Sequence, residues 1–400
     1  MANSAHVRQL VRRLVIRVED ASGVCDEDGL ADVRAATRLD GELRWVSALP
    51  YNSDGSTLRE LVLHSNVRPG APSLRTQRVL QDIMARFSAL ICVSKVAIYG
   101  SLWRPILQPE YLWRLVSLEE LRVSAHDVDV ALDADRLVFP ANLQQLVISG
   151  HISAQSLAQV LGRASLLKTL RRIEVHIATR SRDDDPHAPS AELITALYQC
   201  IWPTLVSFSL TMGDARFRRH STCFDHHATL LGAILRGSPV LSSLQVDVDV
   251  LLNILLRDSS TTHDLRLAVP PPSPRLDVHR DSPAISLNLA VVDYLASIHH
   301  LDLRRPASAI FMTPSFSVDK EACTPLALAT LLSYLGTPSH SLSFYSSSQS
   351  IRPPNLRCIT LHNLNRVVSH VRMSLVLDIL SNAGVQVEIS ADSGAAPMSC

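Results

Sequence analysis

Apolar residues recur along this chain in a six-residue pattern, LxxLxL, whose fourth and sixth positions alternate with the residue between them as in a strand. The pattern is clearest in LEELRV and LQQLVI, which begin at Leu118 and Leu143 and lie 25 positions apart. In a strand, alternate side chains point to opposite faces, so the apolar members of each copy share one side. The second copy is followed by a segment with helical periodicity, Ser153–Leu167.

Aligned on its first position, the pattern recurs irregularly over nearly the whole chain. The copies begin at Val11, Leu58, Val93, Leu118, Leu143, Leu170, Leu205, Leu241, Thr262, Ile298 and Leu356. We also predict a degenerate copy around Leu342–Phe344 and a last strand over Val385–Ile389. Strand, turn and helix units that recur every roughly 20–29 residues are typical of a leucine-rich repeat.

The predicted fold is therefore an α/β leucine-rich-repeat solenoid over residues 1–390, followed by a disordered tail over residues 391–400. We expect it to be curved, with parallel strands on the concave face and helices outside. Segments with helical periodicity are Leu74–Leu90, Ser153–Leu167, Ala191–Ile201, Asp225–Arg236, Ala284–Ile298, Thr324–Leu335 and Met373–Ala383. Polar or proline-rich loops are predicted at Ser181–Ser190, Pro270–Arg275 and Tyr345–Pro354.

The opening segment MANSAHVRQLVRRLVIRV has two interpretations. It is rich in arginine and free of acids before Glu19, as a mitochondrial presequence is. It also contains Val11-x-x-Leu14-x-Ile16, which repeats the strand pattern, and we favour the strand.

Composition narrows the class of partner. The 38 basic and 38 acidic residues balance, so the chain lacks the basic footprint of a nucleic-acid-binding protein. The longest apolar runs, Val248–Leu256 and Leu326–Leu335, fall short of the ~20 residues of a membrane span, so we predict no membrane partner. Seven scattered cysteines without a CxxC motif indicate reduced thiols in an intracellular protein, either cytoplasmic or nuclear.

Motifs that carry a catalytic or cofactor-binding mechanism are absent from the sequence. There is no GxxxxGK[ST], no GxGxxG after a strand, no HExxH and no GxSxG. His220, Cys223, His226 and His227 have a spacing that could bind zinc, but structural zinc sites usually contain paired knuckles. We interpret this segment as a polar loop and a helix start with Asp225 as N-cap. No catalytic residue, cofactor or metal is predicted.

Several segments resemble the irregular leucine-rich-repeat, F-box-type proteins that are abundant in basidiomycete fungi. These are VRQLVRRLVIRVED, LRELVLHSN, LEELRVSAHDV, LQQLVISG, LSSLQVDV and LRCITLHNLN, together with the proline- and serine-rich loops. In that family an F-box binds the linker subunit of a cullin–RING ubiquitin ligase while the repeats hold a substrate. No F-box sequence precedes Val7, so we expect that the module was lost or that the chain is truncated. The resemblance implies a substrate receptor of an SCF-type ligase.

The predicted function is a non-enzymatic protein-binding scaffold. The alternatives are a free-standing repeat protein without a ligase role and an enzyme without a recognisable motif. Strand positions between the buried leucines should face a partner, and the preferred contact residues are Tyr99, Arg122, Arg172, Glu174, His176, Asp302, Arg304 and Arg305. The same rule adds Glu60, His64, Lys95, Glu120, Gln245, Asp247 and His362 to the exposed face.

Overall fold

The chain forms two compact units, Met1–Leu205 and Val206–Cys400. The computed structural model describes residues 12–18, 58–65, 92–101, 104, 107–178, 189–213, 221–255, 294–295, 297–304, 328–333, 335, 355–364, 368–369 and 371–390. Both units are built from short parallel strands that neighbour one another in chain order. The prediction of one solenoid over residues 1–390 stays a prediction, as does the disordered tail, which lies outside the described residues.

Six parallel strands belong to the first unit and five to the second. Those of the first unit are β1 Arg13–Val18, β2 Glu60–Ser65, β3 Lys95–Tyr99, β4 Glu120–Asp127, β5 Gln145–His151 and β6 Arg172–Ile177. Those of the second are β7 Ser207–Met212, β8 Ser243–Asp247, β9 His300–Arg304, β10 Cys358–His362 and β11 Gln386–Ser390. Consecutive parallel strands, many joined by helices, are those of a leucine-rich-repeat α/β solenoid, which confirms the predicted fold class.

The strands β1 to β10 each begin two residues after the first position of a predicted copy. For example, the copy at Val11 gives a strand that begins at Arg13, and the copy at Leu356 gives one that begins at Cys358. The last strand, β11, occupies the segment predicted after Gly384. The copies predicted at Thr262 and at Leu342–Phe344 lie outside the described residues. β8 pairs directly with β9, and β9 pairs directly with β10.

The leucine positions form the core. Leu118, Leu121 and Val123 of one copy are completely buried. Their counterparts are equally enclosed, for example Leu301 and Leu303 beside β9. The alternating strand geometry turns these side chains to one face, where burial of apolar area supplies most of the stability.

One carbonyl at the start of each strand holds the neighbouring strands in register. The Ser94 carbonyl accepts hydrogen bonds from Glu119 N at 2.8 Å and Glu120 N at 3.0 Å. The same double acceptance recurs at the carbonyls of Arg12, Arg59, Glu119, Gln144, Val206, Ser242 and His299. In these copies, the backbone carbonyl at position two accepts hydrogen bonds from the backbone N–H groups at positions two and three of the next copy.

Helices connect many of the strands. Those with described bounds are α1 Pro109–Leu112, α2 Val128–Ala131, α3 Ala154–Ala164, α4 Ala191–Gln199, α5 Ser221–Gly237, α6 Val248–Leu255 and α7 Val371–Asn382. Residues 328–333 are also helical. Ser153 and Ser190 cap α3 and α4, each accepting a hydrogen bond three residues on at 3.2 Å. Among the helices of the described residues, none is long and apolar enough to cross a membrane.

Some helix predictions need correction. Helix α5 begins at Ser221, so Asp225 lies inside the helix and is not its N-cap. The apolar run that begins at Val248 is the helix α6, which was not predicted because its apolar residues are nearly continuous and show no single face. The short α1 and α2 were also missed. The predicted helix Leu74–Leu90 lies outside the described residues, and most of Ala284–Ile298 and part of Thr324–Leu335 do as well.

A local irregularity joins β4 to β5. The pairing register shifts between Ala125 and Asp127, so that Asp127 lies opposite His151. Gly150 has a φ of +134°, and a Cβ there would lie 1.7 Å from the Ala125 carbonyl oxygen. Only glycine fits this close approach of two backbones.

Replacing Leu121 by alanine should destabilise the protein by about 2–5 kcal/mol, because this completely buried side chain would leave a cavity between strands. The free energy of unfolding is measured by chemical denaturation. As a control, Leu166→Ala removes a side chain that is 74% exposed, and should change stability by less than about 0.5 kcal/mol. Equal effects of the two substitutions would contradict the assignment of the core.

Candidate partner-binding surface

The first unit presents three rows of side chains on the strand face opposite its leucine core, and we call this surface the strand face. Its first row is Arg13, Glu60, Lys95, Glu120, Gln145 and Arg172. Its middle row is Val15, Val62, Ala97, Arg122, Val147 and Glu174. Its third row is Arg17, His64, Tyr99, Ser124, Ser149 and His176. Neighbours in a row lie about 4.8 Å apart, which is the spacing of paired strands.

Opposite charges alternate along the first row. Arg13 Nε lies 3.2 Å from Glu60 Oε1, and Lys95 Nζ lies 3.1 Å from Glu120 Oε2. Glu120 also contacts the Arg122 guanidinium at 3.7 Å. These pairs are largely open to solvent, so each contributes only about 0.2–1 kcal/mol to stability. Their main effect is to hold the long side chains over the sheet.

A second group of charges lies at β6, where Glu174 has several partners. Arg172 Nε lies 2.6 Å from its carboxylate, and Gln145 Nε2 donates a 3.0 Å hydrogen bond to it. His176 lies 3.8 Å away. The hydrogen bond from His176 and the charge of Arg172 keep the pKa of Glu174 below its ordinary value, although burial opposes them. Glu174 is therefore ionised and fully engaged.

Aromatic rings occupy the third row between these charges. The His64 and Tyr99 rings stack with centroids 4.3 Å apart and planes 5° from parallel. Burial, followed by the charges of Arg17 and Arg13, lowers the pKa of His64 below its ordinary value. At neutral pH His64 is therefore an uncharged ring, and the pair forms a flat aromatic patch.

A shallow depression of about 240 Å³ lies beside this patch. Its floor contains the apolar side chains of Val62 and Ala97. Around it are Arg13, Lys95 and Arg122, the carboxylates of Glu60 and Glu120, and Tyr99. The depression is open and its accessible lining is mainly polar, with Val62 almost completely buried beneath it.

The second unit carries a separate polar network centred on Asp302. Its Oδ2 accepts a 2.6 Å hydrogen bond from Gln245 Nε2, and Arg304 Nη2 lies 3.2 Å from the same oxygen. His362 Nε2 lies 3.3 Å from Oδ1. Gln245 in turn accepts a 2.5 Å hydrogen bond from the Ser209 hydroxyl. The network links four consecutive strands, β7 to β10.

The structure places most of the predicted contact residues on exposed strand positions. Tyr99, Arg122, Arg172, Glu174 and His176 lie on the strand face of the first unit, and Asp302 and Arg304 lie in the second unit. Arg305 lies outside the described residues. None of these positions has been tested for binding, so their role in contacting a partner stays a prediction.

The inclusion of Asp247 in the exposed face was wrong. This residue is 1% exposed, and its carboxylate accepts a 2.7 Å hydrogen bond from the backbone of Met212. It ends β8 directly before α6, so the alternation of the strand no longer governs its direction. The rule also failed to find Arg13 and Arg17. Both follow from the copy at Val11, which was aligned but not extended to these positions.

One group of potential metal ligands was missed by the sequence analysis. Single ligand atoms of Asp127, Asp129 and His151 lie within 4.8 Å of one another. The Asp129 carboxylate, however, accepts hydrogen bonds from Ser153 N at 3.2 and 3.1 Å, directly before α3. This contact explains the position of Asp129 without an ion. Of the earlier zinc candidates, His227 is buried in α5, while His220 and the Cys223 side chain lie outside the described residues.

Comparison with known proteins adds little to this description. No protein-family model matches the sequence, and no curated protein is similar to it. Among solved structures, the chain is similar to the leucine-rich repeat-containing protein LegL7 from Legionella pneumophila. The two share 14% identity over 95% of this chain and 92% of that one, with a TM-score of 0.35. The assignment of the fold rests on the strand order and pairing described above.

A second apolar surface lies on α7. Val371, Leu375 and Ile379 are spaced four residues apart and are 73%, 57% and 51% exposed. Residues at this spacing share one face of a helix. The opposite face, with Met373 and Leu380, is buried. Helix α7 therefore carries an apolar stripe that is exposed to solvent.

Replacing Arg17 by glutamine should raise the pKa of His64 towards its ordinary value, because one of the two cations that oppose its protonation is removed. The pKa is measured by NMR titration of the His64 ring. A depressed folded-state pKa means that the stability from His64 is present at neutral pH. That stability is lost as the pH falls through the folded-state pKa. An unchanged titration in Arg17→Gln would show that Arg17 does not contribute to the shift.

Proposed function

We propose that this chain is a non-enzymatic protein-binding scaffold and that the strand face of the first unit holds the partner. The observation that carries the proposal is the alignment of exposed cations, a stacked aromatic pair and a shallow depression on consecutive strands. Tyrosine and arginine dominate the energetics of protein interfaces because both bury a large area and keep a polar group. Tyr99, Arg122 and Arg172 occupy such positions here.

The support beneath this surface favours binding. Tyr99 and Arg122 stand on β3 and β4, which are paired with a strand on each side, above completely buried residues such as Leu121 and Val123. The backbone is therefore ordered before a partner arrives. A preorganised surface loses less conformational entropy on association than a flexible one.

The network around Asp302 supports a similar role for the second unit. Its hydrogen bonds and ion pairs hold the Arg304 guanidinium, which is 37% exposed, in a defined position. Asp302 and Arg304 remain the proposed contact residues of this unit, together with Arg305 from the sequence prediction.

A photo-crosslinking experiment tests the proposed surface. The photoreactive amino acid p-benzoylphenylalanine replaces Tyr99, whose ring it resembles, and in a control replaces the exposed Leu166. We expect a defined protein to be crosslinked from position 99 and not from position 166. The partner is identified by mass spectrometry and then purified for affinity measurements.

With the partner in hand, substitution of Tyr99, Arg122 and Arg172 together by alanine should weaken its binding at least about tenfold, since several hot-spot contacts are lost. Binding is measured by calorimetry, and circular dichroism confirms that the variant is folded. Arg136→Ala, which removes an exposed arginine outside the strand face, serves as the control and should leave the affinity unchanged. Unchanged binding of the triple variant would move the site to the α7 stripe or to the loops.

The finer proposal is that the scaffold is a substrate receptor of an SCF-type ubiquitin ligase. Its support is the sequence resemblance to F-box-type repeat proteins. Affinity purification of the native protein should then recover the linker subunit of a cullin–RING ligase. Recovery of a partner through the strand face without that subunit would instead identify a free-standing repeat protein.

A further inference from the structure

The charges of the strand face are not balanced, and the imbalance indicates what kind of partner it fits. Five cations project from its three rows: Arg13, Arg17, Lys95, Arg122 and Arg172. Three carboxylates share the surface: Glu60, Glu120 and Glu174. The arginine, lysine and glutamate side chains thus leave the surface two positive charges in excess.

Each of the three carboxylates on this surface already forms an ion pair with a cation of the same surface. Glu60 contacts Arg13, and Glu174 contacts Arg172. Glu120 is shared between Lys95 at 3.1 Å and Arg122 at 3.7 Å, so it binds Lys95 more closely. Among the ion pairs of the described residues, no carboxylate binds the exposed Arg17. Within the described part of the chain, Arg17 has no carboxylate partner and Arg122 has only the longer contact with Glu120, so these two cations are the least engaged.

The positions of these two cations define a track across the sheet. Arg17 lies in the third row on β1, and Arg122 lies in the middle row on β4. Three strand spacings and two residues along a strand separate their Cα atoms, a distance of about 16 Å. An extended peptide covers that distance with about five residues.

Between the two cations lie the stacked rings of His64 and Tyr99 and the small side chain of Ala97, above the buried Val62. The track passes between the stacked rings of His64 and Tyr99 on one side and the side chains of Val62 and Ala97 on the other. An apolar side chain of a partner would cover the depression there, while a carboxylate at each end would meet an arginine. Apolar contact and charge complementarity thus favour the same ligand.

From this arrangement we propose that the strand face recognises an extended acidic peptide segment, with two carboxylates about five residues apart and an apolar side chain between them. This inference rests on the proposed function and adds the chemistry of the partner. Arg17 and Arg122 bind the carboxylates, and the ring of Tyr99 contacts the apolar residue. The ion pairs of Glu60, Glu120 and Glu174 prevent these carboxylates from repelling the peptide.

Fluorescence anisotropy with designed peptides tests the proposal. The first peptide carries two glutamates about five residues apart with leucine between them. The second has the same composition with its glutamates adjacent, and the third has glutamine in place of glutamate. We expect the first to bind most tightly. Its binding should weaken when added salt shortens the screening length to about 3 Å.

Variants of the full chain assign the contacts. The double variant Arg17→Gln and Arg122→Gln should reduce the affinity for the first peptide about tenfold, since each exposed ion pair contributes up to about 1 kcal/mol. Arg136→Gln removes the same charge elsewhere in the unit and should have no effect. Equal binding of the three peptides, or an unchanged affinity in the double variant, overturns the proposal. Stronger binding of a single-stranded oligonucleotide overturns it as well.

The outcome is distinguishable from failure of the proposed function. If position 99 crosslinks a partner whose binding ignores salt and the Arg17 and Arg122 substitutions, the strand face binds protein but does not select acidic segments. Position 99 could instead crosslink no partner while the spaced acidic peptide binds in the predicted manner. That result would support recognition of acidic peptides by the strand face and would contradict the proposed scaffold function.

Discussion

The structure depends on the way that one strand is joined to the next. The position-two carbonyl of a copy, such as that of Ser94, accepts two N–H donors from the following copy. Where this double contact occurs, it aligns neighbouring copies so that position four meets position four, as Leu121 meets Leu146. Within each unit, side-chain alternation then places the leucines of consecutive copies in one core. The segments between strands can differ in length, because the contact that aligns two strands lies at the start of each strand and does not involve those segments.

The same alignment orders the polar face. Because the strands are in register, single residues from distant parts of the sequence become neighbours in rows. Lys95 and Glu120 meet across two strands, and the rings of His64 and Tyr99 stack for the same reason. These exposed contacts add little to stability. Their consequence is a surface whose charged, aromatic and apolar parts have fixed positions relative to one another, which is what a partner needs for selective recognition.

Acidic residues at the ends of strands have a different use. An Asp-Val-Asp-Val segment begins at Asp127 and again at Asp247, in each case where a strand passes directly into a helix. Asp129 binds the backbone N–H of Ser153, and Asp247 binds that of Met212. A carboxylate thereby satisfies a backbone donor next to a sheet end, where the ladder no longer supplies an acceptor. These acids belong to the scaffold and are withdrawn from the partner-facing surface.

The sequence by itself determined the strands, the buried leucines and most of the exposed strand positions, because alternation and the position-two carbonyl are local properties that repeat in each copy. Only the tertiary structure decided which exposed residues act together. Arg17 is one arginine among many in the sequence, and whether a carboxylate of a neighbouring strand pairs with it depends on residues far along the chain. Asp247 fits the exposed pattern, yet the start of α6 and the Met212 backbone turn it inward. Pairing between strands is a non-local interaction, so the residue pattern within one strand does not show which side chains will contact each other.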